Sequence, residues 1–224
     1  KYSNIIITAS KYSVTQIGNN FKKYFINKPI KLIPDPISFN TSLKSKSPSL
    51  IKHPFMFFIS ILREQKNIEF MLKCFKKFIE LYNYKGYLII AGKGQTKYEN
   101  EIKKFANKLQ ISEKIIWAGR VSEEEKKYLY ENCDLFLFPS VYEGFGYPVV
   151  EARYYNAKIV TSFAASLNEF EGLYIRKANP YDLDDFVNQM KEQLETNNDI
   201  PDDFIVDNTA TCQNYVDVFK SLNT

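Results

Sequence analysis

The sequence predicts an α/β fold built on a doubly wound, mostly parallel sheet, and three observations carry that prediction. Short apolar runs recur along most of the chain: FMFFIS (55–60), YLIIAG (87–92), KIIWAG (114–119), DLFLFP (134–139) and KIVTS (158–162). None alternates apolar with polar residues, so each reads as a strand covered on both faces. Between them lie longer segments of helical period, and right-handed crossovers place those helices on both sides of the sheet.

Taken in order, the run at 55–60 is followed by Ile68, Met71, Leu72, Phe75, Phe78, Ile79 and Tyr82, which trace one helix face. After 87–92 a charged segment from about Lys97 to Leu109 carries Ile102, Phe105, Ala106 and Leu109 on one side. A helix near Glu123 to Glu131 follows the third run, and another starts near Pro148 after the fourth. A weaker strand, LYIR (173–176), and helices near Leu183 to Leu194 and Thr211 to Leu222 complete the series. The first fifty residues differ: NIIITAS and IKLIPDPISF read as short strands around a polar helix from about Val14 to Tyr24. The stretch NTSLKSKSPSLIKHP is rich in Ser, Lys and Pro and reads as a linker or exposed loop.

Composition excludes several function classes. The 224 residues are 45% hydrophobic and 25% charged, enough to bury one sizeable core. A net charge of +4 favours anionic ligands but lacks the clustered basic stripe of a nucleic-acid binder, so no nucleic-acid partner is expected. Cys74, Cys133 and Cys212 are odd in number and scattered, as expected of reduced thiols in a cytoplasmic protein. With His53 as the single histidine and no Cys/His cluster, no metal site is expected. No run approaches the ~20 apolar residues that span a bilayer. The basic, aromatic surface allows peripheral contact with the inner face of a membrane.

Ligands of open α/β sheets bind at the carboxyl ends of the strands, and three loops occupy that edge: SILREQKN, AGRVSEEE and PSVYEGFGYPVVEA. These loops are expected to converge. In the last, Gly144 and Gly146 permit positive φ or close approach to a ligand, and Pro148 suits the first position of a helix. Loop N–H groups and the helix dipole would then present a phosphate site. Glu151, one turn into the helix, suits a vicinal diol such as ribose, and Glu143 a sugar hydroxyl or developing positive charge. The same spacing also fits two solvated acids around a strand-to-helix turn.

The stretch DLFLFPSVYEGFGYPVVEARYYNAKIVTS resembles the donor-binding signature of retaining glycosyltransferases of family 4, which have the GT-B fold with Rossmann-like domains. KNIEFMLKCF, LIIAGKG, IIWAGRVSEEEKKYLYENCD, SLNEF and KANPYDLDDF extend the resemblance over roughly residues 50 to 222. The resemblance implies that Glu151 holds the ribose of a UDP- or GDP-sugar and that Glu143 faces the donor sugar. It also places Phe145, Gly146, Tyr147, Pro148 and Val149 at the donor, Lys66 at the diphosphate, and Gly119, Arg120 and Val121 near the base. The nucleotide sugar is a substrate, and no cofactor is implied.

Departures from the pattern are visible. Ser60-Ile61 stands where the family places Gly-Arg, which leaves Arg63 as the nearby candidate partner of Lys66. Tyr154, Tyr155, Asn156 and Ala157 replace a passage of small residues, and PDPI (34–37) stands where Asn-Gly is frequent. Arg120 precedes the acidic SEEEKK, so local pairing at a helix start also explains it.

A GT-B enzyme needs two such domains, so residues 1–45 are expected to be a remnant of an N-terminal acceptor domain with its crossover, and 46–224 the nucleotide-sugar donor-binding domain. Such a chain would be a fragment, or a half working with a partner chain. The implied activity is retaining transfer of a hexosyl group to a glycan or lipid-linked acceptor in polysaccharide biosynthesis. A noncatalytic GT-B-like half acting as a scaffold is the alternative. A dinucleotide-binding dehydrogenase is disfavoured because GxGxxG is absent after the first strand.

Overall fold

A computed structural model of the chain describes residues 4–21, 28–49, 51–172, 174–196 and 208–222. The first elements are β1 (Ile6–Thr8), α1 (Lys11–Asn20) and β2 (Ile30–Leu32), with β1 and β2 paired in parallel as a separate two-stranded sheet. Helix α1 starts three residues before the expected Val14, because the Ser10 side chain caps it by accepting the Ser13 N–H. The end of that expected helix, 22–24, lies outside the described residues.

The main sheet contains β3 (Phe55–Ile59), β4 (Tyr87–Ala91), β5 (Ile115–Gly119), β6 (Leu135–Phe138), β7 (Ile159–Ser162) and β8 (Ile175–Ala178). All five pairings are parallel, and the spatial order is β5-β4-β3-β6-β7-β8. The expected strand at 173–176 lies two residues further on, with Ile175 in register opposite Ile159; Leu173 is outside the described residues. Phe55, Met56, Phe57 and Phe58 of the central strand are fully buried, which is why that run shows no alternation.

Helices α2 (Ile68–Tyr82), α3 (Thr96–Lys108) and α6 (Leu183–Glu195) pack as one layer, with α2 against both others. Helix α2 turns Ile68, Met71, Leu72, Phe75 and Phe78 into the core. Helices α4 (Glu123–Asn132) and α5 (Tyr147–Tyr154) meet elsewhere, through Tyr130 and Tyr155. Helix α7 (Thr209–Ser221) is the last described element, tied to the segment after β2 where Asn208 accepts the Ile37 N–H at 3.0 Å.

One consequence of the strand order fixes the site. From β3 the chain moves outward through β4 to β5, then returns to the other side of β3 for β6. The carboxyl ends of β3 and β6 therefore flank the topological switch point, where the two outgoing loops separate and leave a crevice.

Candidate active site

Two hydrogen bonds draw the loops after β3 and β6 together. Val141 N–H donates to the Gln65 carbonyl at 2.9 Å, and the Asn67 side-chain amide donates to the Pro139 carbonyl at 3.3 Å. Asn67 holds a left-handed conformation, φ 56°, between a short 3-10 turn (Glu64–Lys66) and α2. This geometry delivers Lys66 to Glu143: Nζ lies 2.5 Å from Oε1, with side chains only 13% and 12% exposed. Lys66 Nζ also stands 5.4 Å from the centroid of the Phe138 ring. Both face a cleft of about 440 Å³ lined by Ser60, Asp35 and the 143–148 turn.

The turn itself is pinned from behind. The buried Ser166 hydroxyl shares its one proton between the carbonyls of Glu143 and Phe145, 2.9 and 3.0 Å away. Gly146 has φ +107°, and a Cβ there would stand 2.9 Å from both Leu167 and Phe170, so any other residue is strained and crowded here. Gly144 does not use the left-handed alternative: its φ is not positive, and a Cβ would meet nothing within 4 Å. Helix α5 starts at Tyr147, with Pro148 second rather than first. Among the described residues the N–H groups of Phe145, Gly146 and Tyr147 have no partner, so three donors and the helix N-terminus face the cleft region. Val149 is buried and its N–H is taken by the Gly146 carbonyl at 2.9 Å, so it packs instead of facing the cleft.

Glu151 faces away from Glu143. Its Oε1 is 2.8 Å from Lys126 Nζ and its Oε2 3.0 Å from the Tyr130 hydroxyl, both on α4. It lines a second cavity of about 200 Å³, with Glu123, Lys126, Tyr155 and, from the segment between β2 and the linker, Ile37 and Phe39. Phe39 stacks on Tyr154 with centroids 3.7 Å apart, so the aromatic pair in the expected small-residue passage anchors that segment. Burial opposes charge on Lys126, but hydrogen bonds and proximity to Glu151 and Glu123 outweigh it and raise its pKa. Burial, then Glu151, pushes the Tyr130 hydroxyl well above the ordinary tyrosine range.

The three loops expected to converge meet only in pairs: the loop after β3 shares one cleft with the loop after β6 and another with the end of β5 at Arg120. Arg63 is exposed and lines a different cleft from Lys66, because the 3-10 turn points the two side chains apart; it does not stand in for the arginine missing at Ile61. Arg120 joins Arg63 in that other cleft and forms no ion pair among the described residues, so local acidic pairing does not explain it. Gly119 has φ +64° and its carbonyl accepts the Gly92 N–H at 2.6 Å, while Val121 is half-buried.

Sequence reasoning assigned no role to Lys126, Tyr130, Ser166 or Asp35. Tyr130 was legible only as a helix-face residue, and its aim at Glu151 depends on how α4 packs on α5. Asp35 accepts from Tyr147 and, at 3.4 Å, from Tyr215, contacts that span 112 and 180 residues. The first turn of α1 also docks here: Lys11 and Tyr12 N–H groups donate to the Glu169 carboxylate at 3.0 and 2.8 Å.

The crevice at the switch point, with a cation, free N–H groups and a helix N-terminus, is the setting in which α/β proteins bind phosphorylated ligands. The family model for glycosyl transferases group 1 matches residues 40–205, and the chain belongs to that family. Its relatives include a glycosyltransferase of Methanocaldococcus jannaschii, 30% identical over 128 residues, covering 55% of this chain and 32% of that protein. The serotype-specific mannosyltransferase WbdA of Escherichia coli is 29% identical over 154 residues, 68% of this chain and 19% of that protein. Among solved structures, HepE of Anabaena in complex with UDP and glucose superposes with a TM-score of 0.74 at 17% identity, over 98% of this chain and 64% of that one. TarM of Staphylococcus aureus gives a TM-score of 0.70 at 17% identity, over 96% of this chain and 44% of that one. The chain thus shares the GT-B fold and spans about a third or less of the length of the two curated relatives named.

Proposed function

We propose that the chain is the donor-binding part of a retaining glycosyltransferase that moves a hexosyl group from a UDP- or GDP-sugar to a glycan or lipid-linked acceptor. The observation that carries this reading is the Lys66–Glu143 pair beneath the free N–H groups at the start of α5. In the free protein Glu143 neutralises Lys66. An arriving diphosphate, with more charge and more acceptor oxygens, competes for that ammonium and leaves Glu143 to accept from sugar hydroxyls.

As the bond from the anomeric carbon to the phosphate oxygen breaks, negative charge grows on the diphosphate. Lys66 and the N–H groups of Phe145, Gly146 and Tyr147 stabilise it, and the reading requires no resident cofactor. The acceptor oxygen bonds to the same face of the sugar, and its proton passes to the leaving diphosphate. Glu151, braced by Lys126 and Tyr130, retains free lone pairs for the ribose diol, so the donor spans the first turn of α5. In this reading residues 1–45 belong to an acceptor domain, docked through Glu169, and the protein works in the cytoplasm.

Calorimetric titration of the chain with UDP and GDP tests the reading. Binding of one of them, weakened about tenfold or more by Lys66→Ala and by Glu151→Ala, with both variants still folded at the titration temperature, is expected. Absence of binding by both nucleotides would refute it and favour a scaffold role.

A further inference from the structure

A second cleft is larger than the one that holds Lys66. It has a volume of about 650 Å³ and lies between the turn after β3, the loop after β4, the first turn of α3 and the end of β5. Four cations line it, Arg63, Lys93, Lys97 and Arg120, against two acids, Glu64 and Glu101. All four are exposed, and none forms an ion pair among the described residues, whereas Lys66, Lys77, Lys126, Arg176 and Lys191 are all paired.

Two further features point the same way. Lys93 lies along the end of β5, its Cε 3.9 Å from where a Cβ on Gly119 would stand, so its chain runs beside the residue preceding Arg120. Helix α3 receives no side-chain cap from Gln95, and its first-turn N–H groups add to the positive pole at this end of the cleft. The nearby Glu99 carboxylate is engaged with the Gly94 N–H at 2.6 Å. Apolar side chains are interspersed among these charges: Leu62 is buried, Ile61 is 56% exposed, and Tyr98 lines the cleft. Burial and the charges of Glu69, Glu64 and Glu101 push the Tyr98 hydroxyl up to about 12, so it stays a neutral donor.

We propose that this cleft binds the phosphate group of a phosphorylated organic molecule, at a site separate from the diphosphate site beside Lys66. Guanidinium groups match phosphate oxygens in a fork, and lysine ammonium groups add charge without fixed geometry. The volume exceeds what a lone phosphate needs and lies in the range of small-molecule sites, so Ile61, Leu62 and Tyr98 can contact an organic body. The same chemistry is offered by a soluble phosphate ester and by the headgroup of an anionic lipid.

The test uses the whole chain and two probes, glucose 1-phosphate by calorimetry and phosphatidylglycerol vesicles by co-sedimentation. Binding of at least one probe is expected, weakened about tenfold or more in the double variant Lys93→Ala/Lys97→Ala and retained in Lys66→Ala. Both lysines are exposed, so the double variant should melt like the parent. UDP binding should follow the opposite pattern, lost with Lys66 and kept in the double variant, which separates this site from the donor site. Binding of the ester alone would assign a soluble ligand, and binding of vesicles alone a lipid headgroup. The proposal is overturned if neither probe binds, if Lys66→Ala alone abolishes binding, or if the double variant binds as the parent does.

Discussion

The two glycines of the EGFG turn are equivalent in sequence and opposite in structure, and substituting each by alanine should separate them sharply. At Gly146 the backbone has φ +107°, and a Cβ would come within 2.9 Å of Leu167 Cδ2 and of Phe170 Cε2. The left-handed conformation costs an L residue about 1–2 kcal/mol, and overpacking adds about 1–3 kcal/mol. Phe170 and Leu167 can give way in part, so a total near 2–4 kcal/mol is expected for Gly146→Ala. With a urea m-value of about 3 kcal/mol/M, the unfolding midpoint would fall by about 1 M. Gly144→Ala meets open space at a φ that is not left-handed, so its stability should stay within about 0.5 kcal/mol of the parent. Urea unfolding of the two variants beside the parent decides the matter. Equal midpoints for both, or a larger loss at Gly144, would refute the account of how this turn is held.

Three other outcomes are expected. Ala165 has φ 53°, so Ala165→Gly should relieve strain and raise stability by about 0.5–1 kcal/mol after the added chain entropy is subtracted, measured by thermal melting. Tyr130→Phe removes the hydroxyl that braces Glu151 and should cost about 1 kcal/mol of stability, with UDP affinity falling further than that loss alone explains. Burial is the first cause holding the Tyr84 and Tyr130 hydroxyls above their ordinary value of 10.0, with Asp134 and Glu151 adding to it. The unfolded chain therefore loses these protons first and binds fewer of them. Stability is intact below pH 10 and should fall above it by about 1.4 kcal/mol per pH unit for each group. Urea midpoints from pH 9 to 11 should fall less steeply in Tyr84→Phe, and an unchanged slope would contradict that assignment.

The core sheet was legible because burial on both faces leaves a mark that needs no tertiary information. FMFFI, YLIIA and LFLF are apolar throughout, and each became a fully or nearly fully buried strand. The meeting of Lys66 with Glu143 follows from strand order, which the alternation of strands and helices constrains strongly. The rest depended on distances that no local pattern encodes. Arg63 is three residues from Lys66 yet faces another cleft, since the 3-10 turn Glu64–Lys66 points the two side chains apart. Gly144 and Gly146 looked alike because the packing of Leu167 and Phe170, twenty residues on, distinguishes them. The bracing of Glu151 by Lys126 and Tyr130 reflects the approach of α4 to α5, set by core packing and not by either helix alone.

A crystal structure of the chain soaked with UDP or GDP tests the central claim most directly. The account requires diphosphate oxygens within hydrogen-bond distance of Lys66 Nζ and of the N–H groups at 145–147, Glu143 released from Lys66, and ribose hydroxyls on Glu151. Nucleotide seated instead among Arg63, Lys93 and Arg120, with the Lys66–Glu143 pair unbroken, would contradict it.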